Sequence, residues 1–167
     1  MKEPKKKIHP SVSALWKEYL AQVGNSILDK EQLPPSYYFC DNEKDANECA
    51  DLVLNGIKQA TAGSLWSYEK HSAPFPIVGE LYIVTDWKGI AKAVVEVVKI
   101  ERTPFHKITA DFAYREGEGD KSLAYWKEVH QAFFEREMQD SDDEFHEEMI
   151  VVCEHFDTVY PIKRCDN

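Results

Sequence analysis

No run of apolar residues in this 167-residue sequence approaches the ~20 that a helix needs to cross a bilayer. That excludes a helical membrane protein. The N-terminal stretch MKEPKKKIHP is basic, but no apolar segment follows it of the kind a secretory signal carries. A soluble, cytoplasmic chain with no membrane partner is the expectation. Cysteine is sparse: Cys40, Cys49, Cys153 and Cys165, none in a Cys-x-x-Cys pair. Such spacing excludes a disulfide framework and a structural zinc site, and it fits free thiols in a reducing compartment. Basic residues are outnumbered, 20 to 30, for a net charge of −10. An excess of that sign argues against tight, sequence-independent binding along a nucleic-acid backbone. It leaves room for a local pocket that takes a nucleotide or a short single strand, because the distribution of charge matters more than its sum. There is no Gly-x-Gly-x-x-Gly loop and no internal repeat, and HEEMI lacks the second histidine of a zinc-protease helix.

What is present suits one domain. A hydrophobic content of 43% supports a packed core. Residues 1–10 read as a flexible basic tail and 11–167 as a single domain. Apolar residues at Val12, Leu15, Trp16, Tyr19, Leu20 and Val23 have helical spacing, and Gly24 is placed to end that helix. SYYFC at 36–40 reads as a short strand after Pro34-Pro35. A helix capped by Asp41 or Asn42 follows, with Ala46, Cys49, Ala50, Val53 and Leu54 on its buried face and Gly56 at its end. ELYIVTDW and IAKAVVEVVKIERT, joined at Lys88-Gly89, read as a hairpin. TADFAYREG and SLAYWKEVHQAFFERE read as helices, and EMIVVCEHFDTVYPI as a long final strand. The order lacks regular βαβ alternation. An α+β fold is expected: a small mixed or antiparallel sheet curled into a barrel, with helices packed around it.

Three ordered segments carry a family resemblance. FCDNEKDANECADLVLNGIKQATAGS has an aromatic, an acid and a helix, followed by Gly56, Lys58 and Thr61 as Gly-x-Lys-x-x-Thr. FAYREGEGDKSLAYWKEVHQAFF has an acidic-glycine turn before Ser-Leu-x-x-Trp and a histidine ahead of paired aromatics. PFHKI and VVCEHF complete the set. Together they resemble the ASCH domain family of the PUA-like superfamily, in its longer bacterial type. Cys40 departs from the pattern, which commonly has glycine there. The resemblance implies a PUA-like barrel and an RNA or nucleoside ligand. For chemistry it implies one of three things: ribonuclease action, deacetylation of acetylcytidine through a Lys/Thr/Glu set, or binding of RNA or a modified nucleoside without turnover. A divalent metal enters only under the ribonuclease reading, and no metal ligand is assigned.

The residues themselves leave alternatives open. Lys58 is either a solvated lysine answering a helix C-terminus or a partly desolvated group that holds a phosphate or activates a hydroxyl. Thr61 is a strand residue or a nucleophile. Side chains alternate along a strand, so a bulge or turn is needed before residues three apart converge. REGEGDKS offers Glu116, Glu118 and Asp120 as carboxylate partners, and the resemblance favours Glu116. Asp120 or Ser122 could cap the next helix. The expected catalytic set is therefore Lys58, Thr61 and Glu116. The expected ligand contacts are Gly56, Ser64, Trp66, Glu118, Ser122, Tyr125 and Trp126. Trp126 and His130 are four apart and share a helix face, a position that suits core as readily as base stacking. Tyr68 competes for the stacking role, and His130 could serve as an acid/base. The acidic stretch 140–148 reads as a solvated loop rather than a cation site.

Overall fold

The structure is a computed structural model and describes residues 8–24 and 32–162. Most of the basic tail and Cys165 lie outside those residues. Among the described residues five α-helices and five strands follow in the order α1 (Pro10–Val23), β1 (Ser36–Tyr37), α2 (Glu43–Leu54), β2 (Ala60–Ser64), α3 (Leu65–Lys70), β3 (Leu81–Thr85), β4 (Ala91–Pro104), α4 (Ala110–Glu116), α5 (Leu123–Met138) and β5 (Ile150–Tyr160), with a short 3-10 helix at Phe105–Lys107 after β4. The fold is α+β with a mixed sheet of order β1-β3-β4-β5-β2. β1 pairs with β3 in parallel, whereas β3 with β4 and β2 with β5 are antiparallel. Among the described residues the hydrogen-bonded ladder has β1 and β2 at its two ends.

The chain divides into two compact units. The first comprises Met1–Leu54, Leu81–Glu96 and Thr158–Asn167. Its α1 starts at Pro10, suited to the first turn by its fixed φ, and His9 caps it by accepting the Ser11 N–H at 3.2 Å. Val12, Trp16 and Tyr19 from the helical stripe are buried with Ile83 and Val94, while Val23 lies outside it at 43% exposure. Asn42 caps α2, its Oδ1 accepting the Asp45 N–H at 3.0 Å. Ala46, Cys49, Ala50 and Val53 face inward as the periodicity requires. The strand expected over 36–40 stops at Tyr37. Cys40, at the position where glycine is common, has φ +64°, the left-handed region that glycine enters without steric cost.

The second unit comprises Asn55–Glu80 and Val97–Asp157. Its core gathers Phe105, Phe112, Trp126, Phe134 and Met138 over Ala60, Val151 and Cys153 of the β2–β5 ladder. The small alanines at 60 and 62 let the aromatic layer from α4 and α5 lie close to the strands. Burial pushes the Cys153 thiol up to about 12, so it behaves as a core hydrophobe.

Candidate functional site

All residues of the candidate site belong to the second unit. Gly56, at φ +67°, turns the chain out of the helical run into residues 57–59. Backbone bonds pin that segment on both sides: the Gln59 N–H donates to the Arg115 carbonyl at 2.8 Å, and the Phe156 N–H donates to the Gln59 carbonyl at 3.0 Å. The end of α4 therefore lies directly on the lysine segment. Gly117 makes this approach possible, since it adopts φ +73° and a Cβ there would stand 2.7 Å from the Ile57 carbonyl oxygen.

This docking brings Lys58 and two glutamates together in the interior. Lys58 is only 1% exposed. Its Nζ donates to Glu116 Oε2 at 2.7 Å and to Glu118 Oε1 at 2.5 Å. The other oxygen of Glu116 accepts the Trp126 indole N–H at 2.9 Å and lies 3.3 Å from His130 Nε2. His130 stacks on Trp126 with ring centroids 4.0 Å apart, and its Nδ1 sits 2.9 Å from the Trp126 carbonyl. Burial pushes the Glu116 carboxyl upward, but the Lys58 ammonium, His130 and their hydrogen bonds outweigh it and hold the group well below the ordinary carboxylate range. Glu116 is thus a fixed anion and a poor proton donor. Two carboxylates on one ammonium likewise favour the cation at Lys58 over a free base. Glu118 is the member of the trio nearest solvent, with its side chain 20% exposed.

Thr61 takes no part in those bonds. It lies in β2 directly opposite Glu154 of β5, and cross-strand partners project to the same face. Ala60 and Ala62 have the other parity and pack into the aromatic core. Glu154 is 8% exposed. Burial and then the charge of Glu80 push its carboxyl up to about 7. Tyr68 of α3 rests on the same face, for a Cβ on Gly63 would meet its Cε2 at 3.0 Å. Burial, then Glu154 and Glu137, push the Tyr68 phenol up to about 12.

Among the expected ligand contacts, Ser64 is fully buried and donates to Glu137 Oε2 at 2.9 Å while capping α3. The Trp66 indole donates to Asp143 Oδ2 at 2.7 Å, and Lys70 sits over its ring. Ser122 caps α5 by accepting the Tyr125 N–H, and Asp120 accepts the Ser122 N–H. Tyr125 is 36% exposed, and its ring lies over Gly119. Trp126 belongs to the core and to the charge cluster at once. Asp120 is exposed and does not reach Lys58, whereas both glutamates of Glu-Gly-Glu do. The sequence signals Glu154 only by its place after the apolar run Ile150–Cys153 in the final strand. Among the described residues no group of three or more His, Cys, Asp or Glu side chains is arranged to hold a metal, and no helix is long and apolar enough to cross a membrane.

The family model for the ASCH domain matches residues 35–160. The ASCH domain from Lactobacillus crispatus JV V101, a crystal structure, is similar at 34% identity and a TM-score of 0.81, covering 92% of this chain and 97% of that one. A crystal structure of a protein from Enterococcus faecalis V583 is similar at 29% identity and a TM-score of 0.77, covering 89% of this chain and 88% of that one. No curated protein matches. On the family match and the likeness to a solved ASCH domain, this chain belongs to the ASCH domain family.

Proposed function

We propose that this protein is a cytoplasmic domain that recognises RNA or a nucleoside in the cleft beside Gly-x-Lys-x-x-Thr. Family membership supports the ligand class, and the site's geometry bears on the chemistry. One observation carries the chemical part: Lys58 is buried between Glu116 and Glu118, apart from Thr61. In that setting Lys58 works as a positioning cation rather than as the base of a threonine nucleophile, which favours recognition over deacetylation through a Lys/Thr/Glu set. It fixes Glu118 with one edge toward solvent, where a carboxylate can accept a hydrogen bond from a ribose hydroxyl or a base N–H.

The same edge supports a ribonuclease reading. Glu118 would take the proton of a 2′-hydroxyl as that oxygen attacks the phosphorus and the P–O5′ bond breaks, with solvent water protonating the departing 5′-oxygen, so that the products are a 2′,3′-cyclic phosphate and a 5′-hydroxyl. The net charge of −10 restricts the RNA to a short single-stranded segment. Labelled single-stranded RNA and cytidine, titrated by fluorescence and calorimetry with and without magnesium or manganese, test the proposal. Saturable binding is expected, with Glu118→Gln weakening it about tenfold, as loss of a charged hydrogen bond does. Any strand cleavage should disappear in the same variant. A wild-type protein that binds neither probe contradicts the proposal.

A further inference from the structure

On the face of the β2–β5 ladder that carries Thr61, side chains accumulate that the Lys58 cluster does not use. Glu154 is 8% exposed and has no hydrogen-bond or ion-pair partner among the described residues. Its oxygens are not among the buried side-chain atoms left without a partner, so the carboxyl meets solvent at its edge, and a largely buried carboxyl bonded only to water is open to a ligand's donors and acceptors. Thr61 stands directly opposite it. Two residues along β2, the missing side chain of Gly63 makes room for the Tyr68 ring, whose hydroxyl lies 3.6 Å from where a Cβ would be. Tyr68 stacks on Phe75 with centroids 4.9 Å apart and planes 20° from parallel. Phe75 is 37% exposed, and the exposed Arg102 guanidinium lies 4.6 Å from its ring centroid. A contiguous path thus runs from a buried carboxyl and two hydroxyls, across two stacked aromatics, to an exposed cation.

We propose that this face is a nucleotide subsite in which Glu154 and Thr61 bond the base edge, the Tyr68–Phe75 stack supports the base, and Arg102 receives a phosphate. The proposal rests on the nucleic-acid reading above and names the residues that would do the reading. A carboxyl with its proton presents a donor and an acceptor side by side, which matches a base edge carrying a ring acceptor next to an amino group, as cytosine does. Glu80 acts on Glu154, and Glu154 and Glu137 act on Tyr68, so the charge around the face disfavours a further negative charge on either group. An exposed aromatic is sequence-tolerant as a stacking surface. An arginine fork suits a phosphate.

Cytidine and cytidine monophosphate, titrated into the full chain by calorimetry, are the probes. Glu154→Leu is expected to weaken both by about tenfold or more, because the base edge loses both of its hydrogen bonds. Glu154→Gln, which keeps a donor beside an acceptor, is expected to stay within about threefold of wild type. Arg102→Gln is expected to abolish the advantage of the monophosphate over the nucleoside and to leave cytidine affinity unchanged. Thermal unfolding confirms that each variant is folded. If Glu154→Leu does not fold, Arg102→Gln still decides, since an undiminished monophosphate advantage overturns the subsite. Full affinity in Glu154→Leu together with loss in Glu118→Gln sinks this inference and leaves the general function standing. Failure of the wild type to bind either probe sinks both.

Discussion

Lys58→Met is expected to destabilise the protein by about 3–5 kcal/mol, the cost of removing one partner from a buried ion pair. The substitution keeps most of the side-chain volume and removes only the charge. It leaves Glu116, 1% exposed, as an anion beside Glu118 with only the Trp126 and His130 contacts to satisfy it. Adding Glu116→Gln to the same chain is expected to recover about 1–2 kcal/mol, because the uncompensated charge is gone while the indole N–H keeps an acceptor. Urea denaturation of the wild type, single and double variants measures both quantities. A loss under about 1 kcal/mol in Lys58→Met would mean that the cluster is solvated and not buried. The wild type carries a matching signature in acid. The Glu116 carboxyl is held below its ordinary value of 4.5, so its contribution is complete above that pH and is lost as pH falls toward the folded-state value.

Gly117→Ala is expected to cost about 2–4 kcal/mol, combining a non-glycine residue in the left-handed region with a steric clash. The clash is with backbone, since the new Cβ would lie 2.7 Å from the Ile57 carbonyl oxygen and 3.0 Å from its carbon. The strand entrance and the end of α4 would have to separate, and that movement would draw Glu116 and Glu118 away from Lys58. Gly56→Ala is the internal control. It has a similar φ of +67°, but no atom lies within 4 Å of the added Cβ, so only the conformational cost of about 1 kcal/mol is expected. Equal losses in the two variants would show that close packing at Gly117 contributes nothing.

Much of this architecture is legible in the chain. Helices α1, α2 and α5 carry apolar spacing over three or more turns, which is the strongest local signal. The β3–β4 hairpin and β5 are rich in β-branched residues. β1 is shorter than its sequence suggests, because its pairing is set by a parallel partner more than forty residues away and the chain turns into the left-handed region at Cys40. The site was legible only in part. Lys58 and its segment stood out through the family pattern, but Glu-Gly-Glu offered no local rule for which acid turns inward. Both glutamates do, because Gly117 reverses the chain between them. Thr61, expected in one set with Lys58, lies in β2 opposite Glu154 and makes none of the bonds of the Lys58 cluster. What alternation cannot supply is the residue across the ladder. Glu154 meets Thr61 through a register set by tertiary packing, 93 positions further along the chain.

Amide chemical-shift mapping tests the central claim most directly. Isotope-labelled protein titrated with cytidine monophosphate and with a short single-stranded RNA reports which residues meet the ligand. The account predicts saturable shifts concentrated in residues 56–64 and 116–122, together with the strand positions around Glu154. Shifts that fail to saturate, or that are confined to residues remote from these three segments, would contradict it.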